Sequence, residues 1–114
     1  MKNGAMVSHD MLDRMVEIIV EQVNPERIVL FGSRARGDAG PDSDVDLLIV
    51  EPEPFGRGRS RRRELARIRR MLAPFRVPKD ILVYGADEFA RWRSSLNHII
   101  GRSMREGRLL YERP

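Results

Sequence analysis

The chain has 114 residues, the size of one compact domain with room for a core that needs no staples. Cysteine is absent, which excludes disulfides, thiolate zinc sites and cysteine nucleophiles, and which suits a reducing, cytoplasmic setting. Lys and Arg outnumber Asp and Glu by 21 to 17, a net charge of +4, and every basic residue except Lys2 and Lys79 is arginine, whose planar fork suits phosphate and carboxylate partners. No apolar run follows Lys2 at the start, and none anywhere approaches the roughly 20 residues of a membrane span, so neither export nor a membrane role is expected.

Along the chain, Leu12, Met15, Val16, Ile19 and Val23 recur at steps of three and four and predict an amphipathic helix over residues 10–23. Ser8 or Asp10 would cap it, and Asn24-Pro25 would end it. The run Arg27-Ile28-Val29-Leu30-Phe31, cut off by Gly32, predicts a strand entering a turn. Residues 32–43 then form a loop with one helical turn after Ser33. Residues 44–50 predict a second strand, apolar from Leu47 to Val50 as expected where both faces of a sheet are covered.

Residues 51–58, with two prolines and two glycines, read as a mobile connection. A helix over 60–72 follows, with Leu65, Ile68, Met71 and Leu72 as one apolar stripe on an arginine-coated surface. Pro74 and Pro78 bracket its exit. A third strand is expected over 79–84, helices over 86–93 and 96–105, a C-cap at Gly107 and a short edge strand over 108–111. The order predicts an α/β chain, a small sheet with helices against it.

The chemistry concentrates in Gly32-Ser33-Arg34-Ala35-Arg36-Gly37 and the following Asp44-Val45-Asp46. A strand that ends in Gly-Ser and turns into a helix start leaves backbone N–H groups pointing outward, and glycine lets an anion approach them closely. A phosphate fits there, with the Ser33 hydroxyl as a further donor and Arg34 or Arg36 neutralising charge. Asp44 and Asp46, two apart in a strand, project from one face and set two carboxylates side by side. Their repulsion is relieved by a divalent cation, and oxygen-only ligands favour Mg²⁺ or Mn²⁺ over zinc. Taken without the upstream loop, Asp42-Ser43-Asp44 is a turn with a capping aspartate and Asp46 a solvated residue. Two ions about 3.5 to 4 Å apart would require a third carboxylate, for which Asp80 is the candidate. Otherwise Asp80 is an ordinary strand-start residue paired with Lys79.

Gly32-Ser33, ten intervening residues, then Asp44-x-Asp46, in the longer form Gly-Ser-Arg-Ala-Arg-Gly to Ser-Asp-Val-Asp-Leu, resembles the nucleotidyltransferase superfamily of DNA polymerase beta. More narrowly it is similar to the minimal nucleotidyltransferase (MNT) proteins that are antitoxin partners of HEPN-domain toxins, including the ending Glu106-Gly107-Arg108-Leu109-Leu110-Tyr111. The resemblance implies one minimal domain over 1–114, a mixed sheet flanked by helices, and two Mg²⁺ ions, with Mn²⁺ as the alternative. It implies that Asp44 and Asp46 bind both ions, that Asp80 holds the catalytic one, and that Gly32-Ser33 grips the triphosphate of ATP. The implied reaction is transfer of AMP to a hydroxyl, a tyrosine of a partner HEPN toxin, in a type VII-like antitoxin. The alternatives are a catalytically idle antitoxin that neutralises by binding alone, and transfer to a small-molecule hydroxyl, which the lack of an acceptor domain after Pro114 disfavours.

The remaining signals have bland readings. The arginines from Arg57 to Arg70 are read as the solvated face of a helix ahead of a nucleic-acid surface, since no aromatics interleave them. His9 and His98 are read as surface or capping residues, and Phe89 and Trp92, three apart, as core or interface anchors.

Overall fold

The computed structural model describes residues 9–37, 39–40 and 43–114. In chain order the elements are α1 (His9–Val23), β1 (Arg27–Phe31), α2 (Gly32–Arg36), β2 (Val45–Glu51), α3 (Arg61–Leu72), β3 (Lys79–Gly85), α4 (Ala86–Trp92), α5 (Ile99–Glu106) and β4 (Arg108–Glu112).

The four strands form one mixed sheet in the order β3-β2-β1-β4. β1 is antiparallel to both β2 and β4, and β2 is parallel to β3, which the chain reaches through α3. Helices cover both faces, so β2 is apolar on both. Val45, Leu47 and Ile49 join Met15 and Ile19 of α1 and Ile68 and Leu72 of α3 in one core cluster. Leu48 and Val50 point the other way, to a second cluster with Phe89 of α4 and Ile100 of α5. Each fully buried aliphatic side chain contributes roughly 1.5–3 kcal/mol, which is why the continuous apolar run of β2 belongs at the centre of the molecule.

Local chemistry explains where elements stop. Asn24 takes a left-handed φ of 54° just after α1 and returns its N–H to Val20 O at 3.0 Å, a conformation asparagine tolerates, and Pro25 follows. Ser60 caps α3, its hydroxyl accepting from the Arg63 N–H at 3.2 Å. The Arg61 guanidinium then ties α3 to α4, donating to both Glu88 carboxylate oxygens at 3.0 and 2.6 Å and to Val83 O at 2.8 Å.

Several expectations need correction. α1 begins at His9, so Asp10 lies inside the first turn and does not cap it; Ser8 lies outside the described residues. The last helix begins at Ile99, not at 96, because the His98 ring caps it: Nδ1 accepts from the Ile100 N–H at 3.1 Å while the ring stacks on Trp92 at 4.6 Å. Gly107 does follow α5, but in an extended conformation; a Cβ there would strike Ser103 O, Val29 Cγ1 and Leu30 O, so close packing and not a left-handed turn demands glycine. The connection after β2 is no open loop. Gly56 and Arg59 pair as a bridge, and Arg59 donates to Glu53 O at 2.8 Å and to the buried Glu51 carboxylate.

Candidate functional site

β1 delivers the chain to Gly32, which has a left-handed φ of 73°, and α2 occupies only five residues before Gly37 closes it, also left-handed at 84°, with its N–H on Ser33 O. The helical turn therefore starts at Gly32, two residues before the position expected after Ser33. The N-cap residue of α2 is Phe31, whose side chain offers no acceptor to the first N–H groups of the helix. Ser33, on the first turn, is half-buried.

The return of the chain to the sheet is pinned by Arg34. Its guanidinium donates to Ser43 O at 2.6 Å and to Asp44 O at 3.2 Å, locking α2 to the start of β2. Arg34 thus acts first as a brace for backbone, a use of arginine that the motif alone did not suggest. Arg36 lies one turn from Gly32 on the exposed side. Asp38 and Asp42 lie outside the described residues.

Sheet register brings Asp46 and Asp80 together. Asp46 sits between Phe31 of β1 and Asp80 of β3. In a pleated sheet register partners share a face, which sets Asp46 and Asp80 on one side, and Asp44, one residue before β2, lies near enough for its charge to act on Asp46. The side of Asp46 and Asp80 is the one that carries Leu48 and Val50, but α4 and α5 cover only the part beyond Asp46. Asp44 and Asp80 are exposed and Asp46 is half-buried. Lys79 does not pair with Asp80: its ammonium donates to Phe75 O at 2.6 Å and Val77 O at 2.9 Å.

The electrostatics follow from this crowding. Burial pushes the Asp46 carboxyl above its ordinary 3.8, and the charges of Asp80 and then Asp44 push it further, against partial relief from Arg34 and Arg36. Asp46 is also pressed against the turn, because a Cβ on Gly32 would collide with its Oδ2. Among the described residues no three His, Cys, Asp or Glu side chains close into a metal cage. What stands at the sheet end is an open row of carboxylates whose oxygen-only donors and mutual repulsion fit a hard divalent cation completed by substrate oxygens.

The comparisons with known proteins bear on the family and the fold. The family model described as a nucleotidyltransferase domain matches residues 12–111. Among solved structures, a mutant form of the MntA-HpeT toxin-antitoxin complex aligns over 90% of this chain and 72% of its own, at 17% identity and a TM-score of 0.57. A toxin-antitoxin structure with AMP-PNP aligns over 89% of this chain and 73% of its own, at 16% identity and a TM-score of 0.59. A nucleotidyltransferase structure from Sulfolobus solfataricus covers 99% of this chain and 91% of its own, at 24% identity and a TM-score of 0.51. No curated protein matches the sequence. At these identities the solved structures establish the fold, and the family model establishes membership: the chain belongs to the nucleotidyltransferase domain family.

Proposed function

We propose that the chain is one minimal domain over 1–114 that transfers AMP from ATP, with Mg²⁺, to a tyrosine hydroxyl of a partner HEPN toxin, as a cytoplasmic type VII-like antitoxin. The observation that carries the transferase reading is the register pairing of Asp46 with Asp80 beside the Gly32-Ser33 turn, which gathers acidic donors and a helix start at one sheet end.

In this reading the N–H groups at the start of α2 and the Ser33 hydroxyl bind the triphosphate, with Arg36 adding positive charge. Arg34 holds the turn against β2. Asp44, Asp46 and Asp80 would hold the divalent ions, which when bound supply charge neutralisation and a lowered acceptor pKa. The acceptor oxygen forms a bond to the α-phosphorus, the bond from that phosphorus to the bridging oxygen of the β-phosphate breaks, and pyrophosphate leaves. Asp80, exposed and level with Asp46 across the sheet, accepts the hydroxyl proton. The solved toxin-antitoxin complexes with this fold support a toxin as the acceptor. No helix among the described residues is long and apolar enough to cross a membrane.

The test is incubation of the purified chain with Mg-ATP labelled at the α-phosphate and the co-expressed product of the neighbouring gene, followed by intact-mass measurement. A gain of one or more AMP masses on the neighbour, lost with Asp46→Asn, is expected. Neutralisation that persists without nucleotide and metal, with no mass gain, would establish the idle binder instead.

A further inference from the structure

A cavity of about 180 Å³ lies between α2 and α5 and opens beside Gly32. One wall is α2, through Gly32 and Arg36, one helical turn apart. The other is α5, through Ile99, Arg102, Ser103 and Glu106. Their spacing is one helix face, whereas Ile100 is turned into the core beneath. Phe31 contributes an apolar floor. Arg36 and Arg102 therefore stand on opposite walls, brought together from positions far apart in the chain.

The donors of this cavity suit an anion. Ser103 spends its hydroxyl on Ile100 O at 2.7 Å, so the charged donors are the two guanidiniums. The one carboxylate, Glu106, meets Arg102 only at 3.9 Å, in a pair whose side chains are 54% and 44% exposed. A pair so open to water holds its partner weakly. The space opens beside Gly32, next to the start of α2, so a phosphate chain bound at that turn lies within reach of it.

We infer that Arg102, across from Arg36, grips the outer two phosphates of a nucleoside triphosphate, the part that leaves as pyrophosphate. The inference rests on the transferase reading above and adds to it a binding residue on α5 that no part of the Gly-Ser motif contains. A guanidinium there would neutralise charge on the leaving group as the bond to the α-phosphorus breaks.

Titration calorimetry with Mg-ATP, and competition by AMP against a fluorescent ATP analogue, test this on the unaltered chain and on Arg102→Gln, Arg102→Lys and Ser33→Ala. Arg102→Gln should weaken Mg-ATP by about tenfold and AMP by less than about twofold, with Arg102→Lys recovering part of the loss. Should AMP bind too weakly to measure, Mg-pyrophosphate replaces it and must lose the same factor as ATP. An unchanged ATP affinity, or equal losses for ATP and AMP, overturns the assignment. If Ser33→Ala weakens ATP and Arg102→Gln does not, Arg102 alone is wrong; if the unaltered chain binds no ATP, the transferase reading falls and takes this assignment with it.

Discussion

Gly32 and Asp46 meet so closely that a methyl group on the first would occupy the place of the second's carboxylate. A Cβ built on Gly32 collides with Asp46 Oδ2 and stands 3.0 Å from its Cγ, and the backbone φ of +73° is one that L side chains rarely adopt. Two independent reasons, strain and space, therefore call for glycine at this turn.

Gly32→Ala is expected to lower stability by about 1–2 kcal/mol from the left-handed backbone and to cut transfer by more than about tenfold by displacing Asp46. Gly37 offers an internal comparison, having φ of +84° with nothing within 4 Å of an added Cβ. Gly37→Ala should then cost similar stability while leaving transfer close to normal. Thermal melting and the labelled-ATP assay on both variants check this, and equal activity losses would remove the role given to the Gly32–Asp46 contact.

Magnesium should stabilise the chain through the carboxylate row. The Asp46 carboxyl is raised, so in metal-free protein its protonated form favours the fold below its native pKa, and that stability is lost as pH rises through that value. Asp46→Asn should accordingly melt no lower than the unaltered chain without metal. At pH 7 and Mg²⁺ ten times its Kd, the unaltered chain should gain about 1.4 kcal/mol and the variant much less. A thermal-shift titration decides it; equal gains in both proteins would dismiss Asp46 as a ligand.

Glu51 predicts a pH dependence at the opposite end of β2. Burial, with the hydrogen bond and charge of Glu64, pushes its carboxyl up to about 7 from an ordinary 4.5, against the pull of Arg59. A raised carboxylate gives the fold stability below 4.5 that drains away as pH rises through about 7. Glu64, pushed up by desolvation but pulled below its ordinary 4.5 by hydrogen bonds from Arg67 and Glu51 and by the charges of Arg67 and Arg59, contributes the other way, below 4.5. Of this pair, Glu51 is the one that gives a slope above pH 4.5. Glu51→Gln should flatten it and raise the melting temperature at pH 8 by about 5 °C. An unchanged slope in melting curves above pH 4.5 would show that another group titrates there.

Element order and type were legible because they rest on local periodicity. The stripe Leu12, Met15, Ile19 has only one amphipathic solution, and Leu47 to Val50 has no polar position to offer solvent. The nearness of Asp44 to Asp46 is local in the same sense, two positions apart at the entry to β2. The start of α5 is not local in this way, since it is set by the His98 ring, which caps the helix while stacking on Trp92, a contact that periodicity does not encode.

By itself, then, the sequence determined which stretches form helices and strands and which turn joins the first two strands, because helix and strand periods and glycine's tolerance of positive φ are properties of neighbouring residues. Folding alone decided that Asp80 stands level with Asp46, that Arg34 donates to Ser43 O and Asp44 O, and that Arg102 and Arg36 line one cavity. Strand register and helix packing are set by long-range burial, which compares whole surfaces with one another and leaves no mark at any single position.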